Sequence, residues 1–449
     1  MGHHHIEIKQ EKFEFTSRSK MLSVILLAVG ILLSVVGVFQ IKGVENHGAE
    51  KHTTEVIAHN STSHETVAPA EHEGEHAKHW TSRFWANMLV NSYYFLLFAV
   101  GGLFFVALNY VANAGWAVMV KRVAEAMSGF IPIGLILLMI TLYFGGKELY
   151  HWVHYEHLEL KSGMEGYDKI LDGKSPFLNT KFLFLGVPLF VLIWYCFRII
   201  LRRLSIKEDT EGGLTFFKRS IRFSAAFLVI FGFTFSMLIW LVIMSVDAHW
   251  YSTIFTINNF AVLFVTTVTI IAFFTIYLKS KGYMELVSPE VFHDLGKFMF
   301  AFCIFWAYTW LAQFLLIWYA NIHEEVVYYN IRLHGYFRPV FFINLFINFF
   351  IPFLILMMRN AKRNPKPLLV AGTFILVGHW LDIFLMIMPG VVGNAAEGIA
   401  TGFGPLEIGM PIAFTGLFIY VVQYCLSKAN LYPINHPYIM ESATYDTGA

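Results

Sequence analysis

The chain contains 449 residues, of which 57% are hydrophobic and 14% are charged, and its formal net charge is +1. Soluble domains carry about 25% charged residues, so the composition excludes an ordinary soluble protein, and the near-neutral charge argues against nucleic acid as a partner. The three cysteines form no C-x-x-C pair, so the chain has no iron–sulfur cluster motif and no motif for covalent haem attachment.

Ten apolar segments follow one another along the chain, and each has about the 20 residues that a helix needs to cross a bilayer. The predicted spans, numbered 1 to 10, are 21–40, 86–111, 128–149, 180–203, 222–247, 254–279, 297–322, 339–359, 367–388 and 406–428. The sequence therefore predicts an all-α polytopic membrane protein with ten transmembrane helices.

Lys and Arg residues set the predicted orientation of these spans. If the segment before span 1 is cytoplasmic, about two thirds of the 32 Lys and Arg residues fall in cytoplasmic segments, most of them short. We therefore expect both termini to face the cytoplasm.

Two pairs of short motifs recur four spans apart, which suggests a duplicated arrangement. KELYHWVHYEH ends span 3 and LLIWYANIHEE ends span 7, while SVDAHWYST ends span 5 and GHWLDIF lies in span 9. We therefore expect two parallel four-helix bundles, 86–247 and 254–388, with peripheral helices at 21–40 and 406–428. Cytoplasmic tails at 1–20 and 429–449 and a periplasmic loop at 41–85 complete this division.

The periplasmic loop is rich in His and Glu, as in the segment EHEGEHAKH. Two interpretations stay open for it, a metal site and a solvated or partner-bound surface. Its spacing fits no closed zinc site, which favours the second.

One ionisable pair lies well inside a predicted span. His379 and Asp382 are three residues apart and share one face of span 9. A carboxylate at that depth costs about 2.5–3.5 kcal/mol unless it is satisfied. The pair can be a proton relay or a contact for a quinone headgroup, because histidine changes charge near neutral pH, or it can only hold helices together. Since no second histidine lies as deep, a haem held between two histidines is not expected.

Further polar residues cluster where the odd-numbered spans reach the outer side. Because buried carboxylates need partners, we expect Asp247, His249, His379 and Asp382 to line one polar seam with Glu324 nearby, the histidines serving as partners of the carboxylates. The other candidates for a proton path or quinol contact are Glu325, Gln313, Tyr319, Asn321 and His151. Four asparagines inside spans are expected to form interhelical hydrogen bonds: Asn258, Asn259, Asn344 and Asn348.

Three segments resemble one family of membrane proteins. IWYANIHEE at 317–325, SVDAHWYST at 245–253 and DGKSPFLN at 172–179 are similar to segments of the quinone-binding-type membrane subunits of alternative complex III. These subunits belong to the NrfD-like superfamily, which includes the membrane subunit of polysulfide reductase, and ten spans with two four-helix bundles are also their pattern. The chain most resembles the second, smaller membrane subunit. His323 stands where proline is common in the family, so the turn there is expected to differ.

The resemblance implies a subunit of a bacterial quinol:cytochrome c, or quinol:oxidase, oxidoreductase of the respiratory chain, in the inner membrane. On this resemblance, the chain itself is expected to carry no redox cofactor and no metal, and it would not be catalytic alone. A bound quinone is compatible with the resemblance. Haem c and iron–sulfur clusters would lie in partner subunits. The expected partners are a homologous quinol-binding membrane subunit, an iron–sulfur protein, cytochrome c subunits, lipid and, as a further option, a terminal oxidase.

Other functions stay open beside this one. A proton- or ion-coupled transporter would use the Asp–His pair within the membrane, although the sequence lacks the Gly/Pro-broken half-helices of many transporters. A true quinol-binding subunit of an NrfD-like oxidoreductase and a purely structural anchor are the remaining alternatives. Co-purification with haem and iron–sulfur subunits would distinguish the first function from a transporter that works alone.

Overall fold

The computed structural model of the chain describes residues 10–60, 79–158, 164, 167–392 and 403–446, and for 44–60, 79, 157 and 158 it describes the backbone only. Within this part the protein is all-α and has ten helices long and apolar enough to cross a membrane, which confirms the predicted fold class. The interpretations of the His-rich loop rest mainly on residues 61–78, which lie outside the described part.

The ten spans are Ser17–Gly43, Trp80–Val111, Gly115–Leu149, Thr180–Glu211, Leu214–Val242, Ile254–Ser280, Pro289–Ala320, Phe337–Leu356, Pro365–Val392 and Pro405–Leu426. Span 1 is the first part of a longer helix, Ser17–Asn60. Shorter helices connect or follow the spans: His151–Leu158, Lys169–Lys174, Met244–Asp247, His323–Leu333, Arg359–Arg363 and Ile439–Ala443. We call His323–Leu333, between spans 7 and 8, the distal helix.

Both described ends of the chain lie on the same side of the helix assembly. Lys12 and Asn430 form an isolated antiparallel β-bridge, and the Leu431 N–H donates a hydrogen bond of 2.7 Å to the Glu11 carbonyl. We call this the terminal side and the opposite surface the distal side. Odd-numbered spans therefore end, and even-numbered spans begin, at the distal side.

Several helices extend beyond the apolar segments that predict them. Span 3 begins at Gly115 rather than at 128, and span 4 continues to Glu211 rather than ending at 203. The added turns carry charged residues, such as Lys121 and Glu125, that are buried in ion pairs rather than solvated. Hydropathy places such turns in loops because it takes no account of pairing between distant residues.

Spans 2 and 6 are the most buried helices and lie at the centre of the assembly. Span 2 packs against spans 3, 5, 6, 9 and 10, and span 6 packs against spans 7 and 9. Spans 7, 8 and 9 are also in mutual contact, and this arrangement surrounds the distal half of span 9 with polar side chains from its neighbours.

Spans 1 and 10 pack lengthwise against each other through glycines. A Cβ atom at Gly30 would lie 2.2 Å from the backbone nitrogen of Ala413, and one at Gly409 would lie 2.6 Å from that of Ser34. Only residues without a side chain allow the two backbones to approach so closely.

Candidate functional site

Asp382 is a buried carboxylate in the distal half of span 9, with 2% of the residue exposed. Its Oδ2 accepts a hydrogen bond of 2.9 Å from Trp306 Nε1 in span 7, and its Oδ1 accepts one of 2.8 Å from Asn344 Nδ2 in span 8. Among the described residues, no cation forms an ion pair with it. Neutral donors, rather than a positive charge, therefore satisfy this carboxylate.

A chain of two amides continues from Asp382 along span 8. Asn344 donates to Asp382, and Asn348 Nδ2 donates to Asn344 Oδ1 at 2.6 Å. Span 8 becomes a π-helix at Phe346–Phe350, the kind of local widening that is frequent at functional sites. Gly378 makes room for the chain, since a Cβ atom there would lie 2.4 Å from Asn348 Oδ1.

Three of the four asparagines form the predicted interhelical hydrogen bonds. Asn344 joins span 8 to span 9 as described, and Asn258 Nδ2 donates to Thr309 Oγ1 of span 7 at 3.0 Å. Asn259 Oδ1 accepts from the Tyr93 hydroxyl of span 2 at 2.9 Å. The prediction is wrong for Asn348, whose amide nitrogen bonds within span 8.

His379 is not the partner of Asp382, contrary to the expectation from their spacing. Its ring is fully buried edge-on to Trp306, with ring centroids 5.4 Å apart. Neither ring nitrogen has a hydrogen-bond partner among the described residues. Side chains three residues apart on a helix diverge by about 60°, so Asp382 accepts from the indole N–H of Trp306 while His379 packs against the same indole without a hydrogen bond.

The partner of Asp247 is Arg332, a residue of the distal helix that the sequence did not single out. Arg332 Nη2 lies 2.9 Å from Asp247 Oδ2, and the guanidinium carbon lies 3.4 Å from the centre of the Tyr328 ring. Arg332 Nε also donates to the Leu385 carbonyl at 2.8 Å. Pro389 has no N–H, so it leaves this carbonyl without its usual helical donor. Arg332 therefore fastens the distal helix to the ends of spans 5 and 9.

A small cavity separates Asp382 from Arg332. Its volume is about 20 Å³, which is room for one water molecule. Burial raises the pKa of Tyr328 and Tyr329 in its wall, so both hydroxyls stay protonated at neutral pH. The other lining residues are Phe255, Asn258, Trp310, Gln313, Phe341, Leu385 and Met386. Hydrogen-bonding groups therefore lie between Asp382 and Arg332.

His249 pairs with a different carboxylate from the one expected. Its Nε2 lies 2.5 Å from Asp168 Oδ2, and both side chains are partly exposed. Burial alone would raise the pKa of Asp168, but hydrogen bonds from His249 and from the backbone N–H groups of Ile170 and Leu171 outweigh burial and hold that pKa below its usual value. This pair joins the segment between spans 3 and 4 to the segment after span 5, and it does not contact Asp382.

The structure thus brings together only part of the predicted seam. Asp382 and Gln313 line the cavity, and Asp247 reaches it through Arg332. The remaining predicted residues are partly or largely exposed and do not line it: Glu324, Glu325, Tyr319, Asn321 and His151.

A second group of buried charges lies on the terminal side, at residues that were expected in or near a cytoplasmic loop. These charges join the beginning of span 3 to the end of span 4 through ion pairs between three cations and three carboxylates: Lys121, Arg122, Arg202, Glu125, Glu208 and Asp209. Because every member is paired, this group is a structural network, and it differs in kind from the site around Asp382, whose hydrogen-bond donors among the described residues are neutral.

No family model matches the chain, and a search of curated proteins finds no match. The geometry described above and the resemblance of three segments are therefore what bear on function.

Proposed function

We propose that this chain is a membrane subunit of a bacterial quinol-oxidising respiratory complex of the alternative complex III type, and that Asp382 exchanges protons within it. The proposal places the chain in the inner membrane with both termini, and hence the terminal side, in the cytoplasm. The redox centres would belong to partner subunits, with haem c and iron–sulfur clusters there and a quinol-binding subunit alongside. The motifs at 172–179, 245–253 and 317–325 and the ten spans support this assignment.

The observation that carries the proton role is the environment of Asp382. A purely structural carboxylate inside a membrane is best satisfied by a cation, as Asp247 is by Arg332. Among the described residues, the donors to Asp382 are Trp306 and Asn344, both neutral. Such a carboxylate gains or loses a proton without leaving a cation unpaired, which is the property that a proton-exchanging group requires.

The proposed route leads from Asp382 to the distal surface. The cavity beside the carboxylate admits one water, and Gln313, Tyr328 and Arg332 surround it. Beyond the cavity lies the ion pair of Arg332 and Asp247, and the Asp247 side chain is 17% exposed, so the route reaches water there. The opposite direction, toward the terminal side, begins with the amides of Asn344 and Asn348.

The test is Asp382→Asn in the complex that contains this chain. The variant keeps the shape and polarity of the side chain but cannot ionise, so quinol-oxidation turnover should fall and its pH dependence should change. Glu407→Gln is the matched control, because Glu407 is an equally buried carboxylate held by Arg83 at 2.7 Å and should affect assembly or stability only. If Asp382→Asn assembles normally and leaves both turnover and its pH profile unchanged, Asp382 only holds helices together.

A second measurement separates this function from that of a transporter. The chain should co-purify with haem- and cluster-containing subunits when extracted in a mild detergent. A chain that purifies alone and moves protons or ions across vesicle membranes would contradict the respiratory assignment.

A further inference from the structure

A larger cavity lies at the distal surface, away from Asp382. It has a volume of about 310 Å³, within the range of small-molecule sites. One wall is formed by residues 173–178, which follow Asp168 in the chain. The other is formed by the distal end of span 5 and the segment that follows it. The lining residues are Gly173, Lys174, Pro176, Phe177, Leu178, Trp240, Met244, Ser245, Ala248, Trp250 and Tyr251.

Among the described residues, the lining is mostly apolar and aromatic and carries one formal charge, that of Lys174. The ammonium group donates to the carbonyls of Ala248 at 2.5 Å and Trp250 at 3.5 Å, and within the described residues it forms no ion pair with a carboxylate. Burial lowers the pKa of Lys174, and the negative charge of Asp168 opposes part of this effect. The Asp168 carboxylate is itself hydrogen-bonded to His249. Among the described residues, Lys174 is therefore a half-buried cation with no carboxylate in direct contact.

The cavity lies beside an exposed apolar surface of span 5, of the kind that faces lipid in a membrane protein. Phe233 and Met237 of span 5 are 72% and 39% exposed, and Trp240 follows them on the same side of the helix at the spacing of one turn. Met244, in the short helix after span 5, lines the cavity together with Trp240. An apolar track therefore runs from the lipid-facing part of span 5 into the cavity. Tyr251, 60% exposed, also lines the cavity, and tyrosine is a residue type that favours the membrane–water interface.

The wall also contains unused hydrogen-bond donors. The indole N–H groups of Trp240 and Trp250 are buried and have no acceptor among the described residues. A buried indole N–H normally has a partner, so acceptor oxygens are the groups that this wall lacks.

We propose that this cavity binds one anionic phospholipid, such as phosphatidylglycerol. Its phosphate would lie against the Lys174 ammonium, since lysine binds phosphate as a point charge, and its ester oxygens would lie near the two indoles. One acyl chain would follow the track over Met244, Trp240 and Met237. The Lys174 cation matches the phosphate of such a molecule, and the apolar track, open toward lipid, matches an acyl chain. A free anion would use only the cation.

The experiment uses the full-length chain, purified in detergent and stripped of lipid, with native mass spectrometry as the readout. Dioleoylphosphatidylglycerol should bind one equivalent at least tenfold more tightly than dioleoylphosphatidylcholine. Lys174→Gln should weaken phosphatidylglycerol binding about tenfold and leave phosphatidylcholine binding unchanged, because a charged hydrogen bond of that kind accounts for roughly one such factor. Lys181→Gln, an exposed cation at the nearby start of span 4, is the control and should have no effect.

A second variant, Met244→Trp, fills the cavity without changing its charge and should weaken both lipids. It keeps the test decisive if Lys174→Gln does not fold, which gel filtration of each variant would reveal. Equal binding of the two lipids by the wild-type chain, or unchanged phosphatidylglycerol binding in Lys174→Gln or Met244→Trp, would overturn the proposal. Displacement of the lipid by inorganic phosphate at millimolar concentration would also overturn the proposal, since the site would then recognise phosphate alone.

Discussion

Replacing Arg332 with methionine should destabilise the protein by about 3 kcal/mol. Arg332 is 2% exposed, and methionine keeps much of its apolar packing on Tyr328 while removing the ion pair with Asp247 and the donors to the carbonyls of Leu385 and Met386. Removing one member of a buried ion pair costs about 3–5 kcal/mol. Asp247 is 17% exposed at its side chain, so water recovers part of that cost, and we expect the lower end of the range.

The measurement is the free energy of unfolding of the detergent-solubilised chain in a denaturant series. Arg338→Met, an exposed arginine at the same side, should change it by less than about 0.5 kcal/mol. The double variant Arg332→Met with Asp247→Asn should lose less stability than Arg332→Met alone, because it leaves no buried charge unpaired. A loss for Arg332→Met no larger than that for Arg338→Met would refute the idea that this arginine fastens the distal helix.

Three further predictions concern topology, acid and helix contact. In a chain without its native cysteines, Ser175→Cys should react with an impermeant thiol reagent from the periplasm and Glu211→Cys only from the cytoplasm; equal reactivity would contradict the proposed orientation. Burial holds the pKa of His436 well below 6.5, so protonation favours the unfolded form and stability is lost as the pH falls below about 6.5; hydrogen exchange of 430–446 should then rise, and less so in His436→Gln. Gly409→Ala should lower the thermal midpoint, whereas Gly232→Ala, with no neighbouring atom within 4 Å, should not, and equal shifts would argue against close packing of spans 1 and 10.

The ten spans could be predicted because a long apolar segment is a local property of the sequence. The ends of the spans could not be predicted as well. Residues 115–127 contain Lys121, Arg122 and Glu125, and local hydropathy assigns such a segment to a loop. These residues are helical and buried because their partners come from span 4, and a single sequence does not reveal such pairing.

Of the candidate site, Asp382 could be predicted from the sequence, but the residues that contact it could not. Asp382 stands out because a carboxylate in an apolar span must be satisfied. Its donor Trp306 is 76 residues away in the chain, and nothing local links the two. Arg332 left a weak signal, as a lone cation among apolar and aromatic residues, and Pro389 left another, as a proline that frees a helical carbonyl. Neither signal identifies Asp247 as the carboxylate involved.

The side-chain amides of Asn344 and Asn348, which lie between Asp382 and Gly378, can reverse the direction of their hydrogen bonds. A charged pair cannot do so. With Asp382 ionised, both amide nitrogens point toward it, and Asn348 turns a bare oxygen toward Gly378. A proton on Asp382 would make it a donor, and rotation of each amide by half a turn would then reverse both hydrogen bonds. Asn348 would present N–H where it had presented oxygen. The charge state of one carboxylate would thereby be relayed along span 8 as a change of polarity, with no displacement of the backbone.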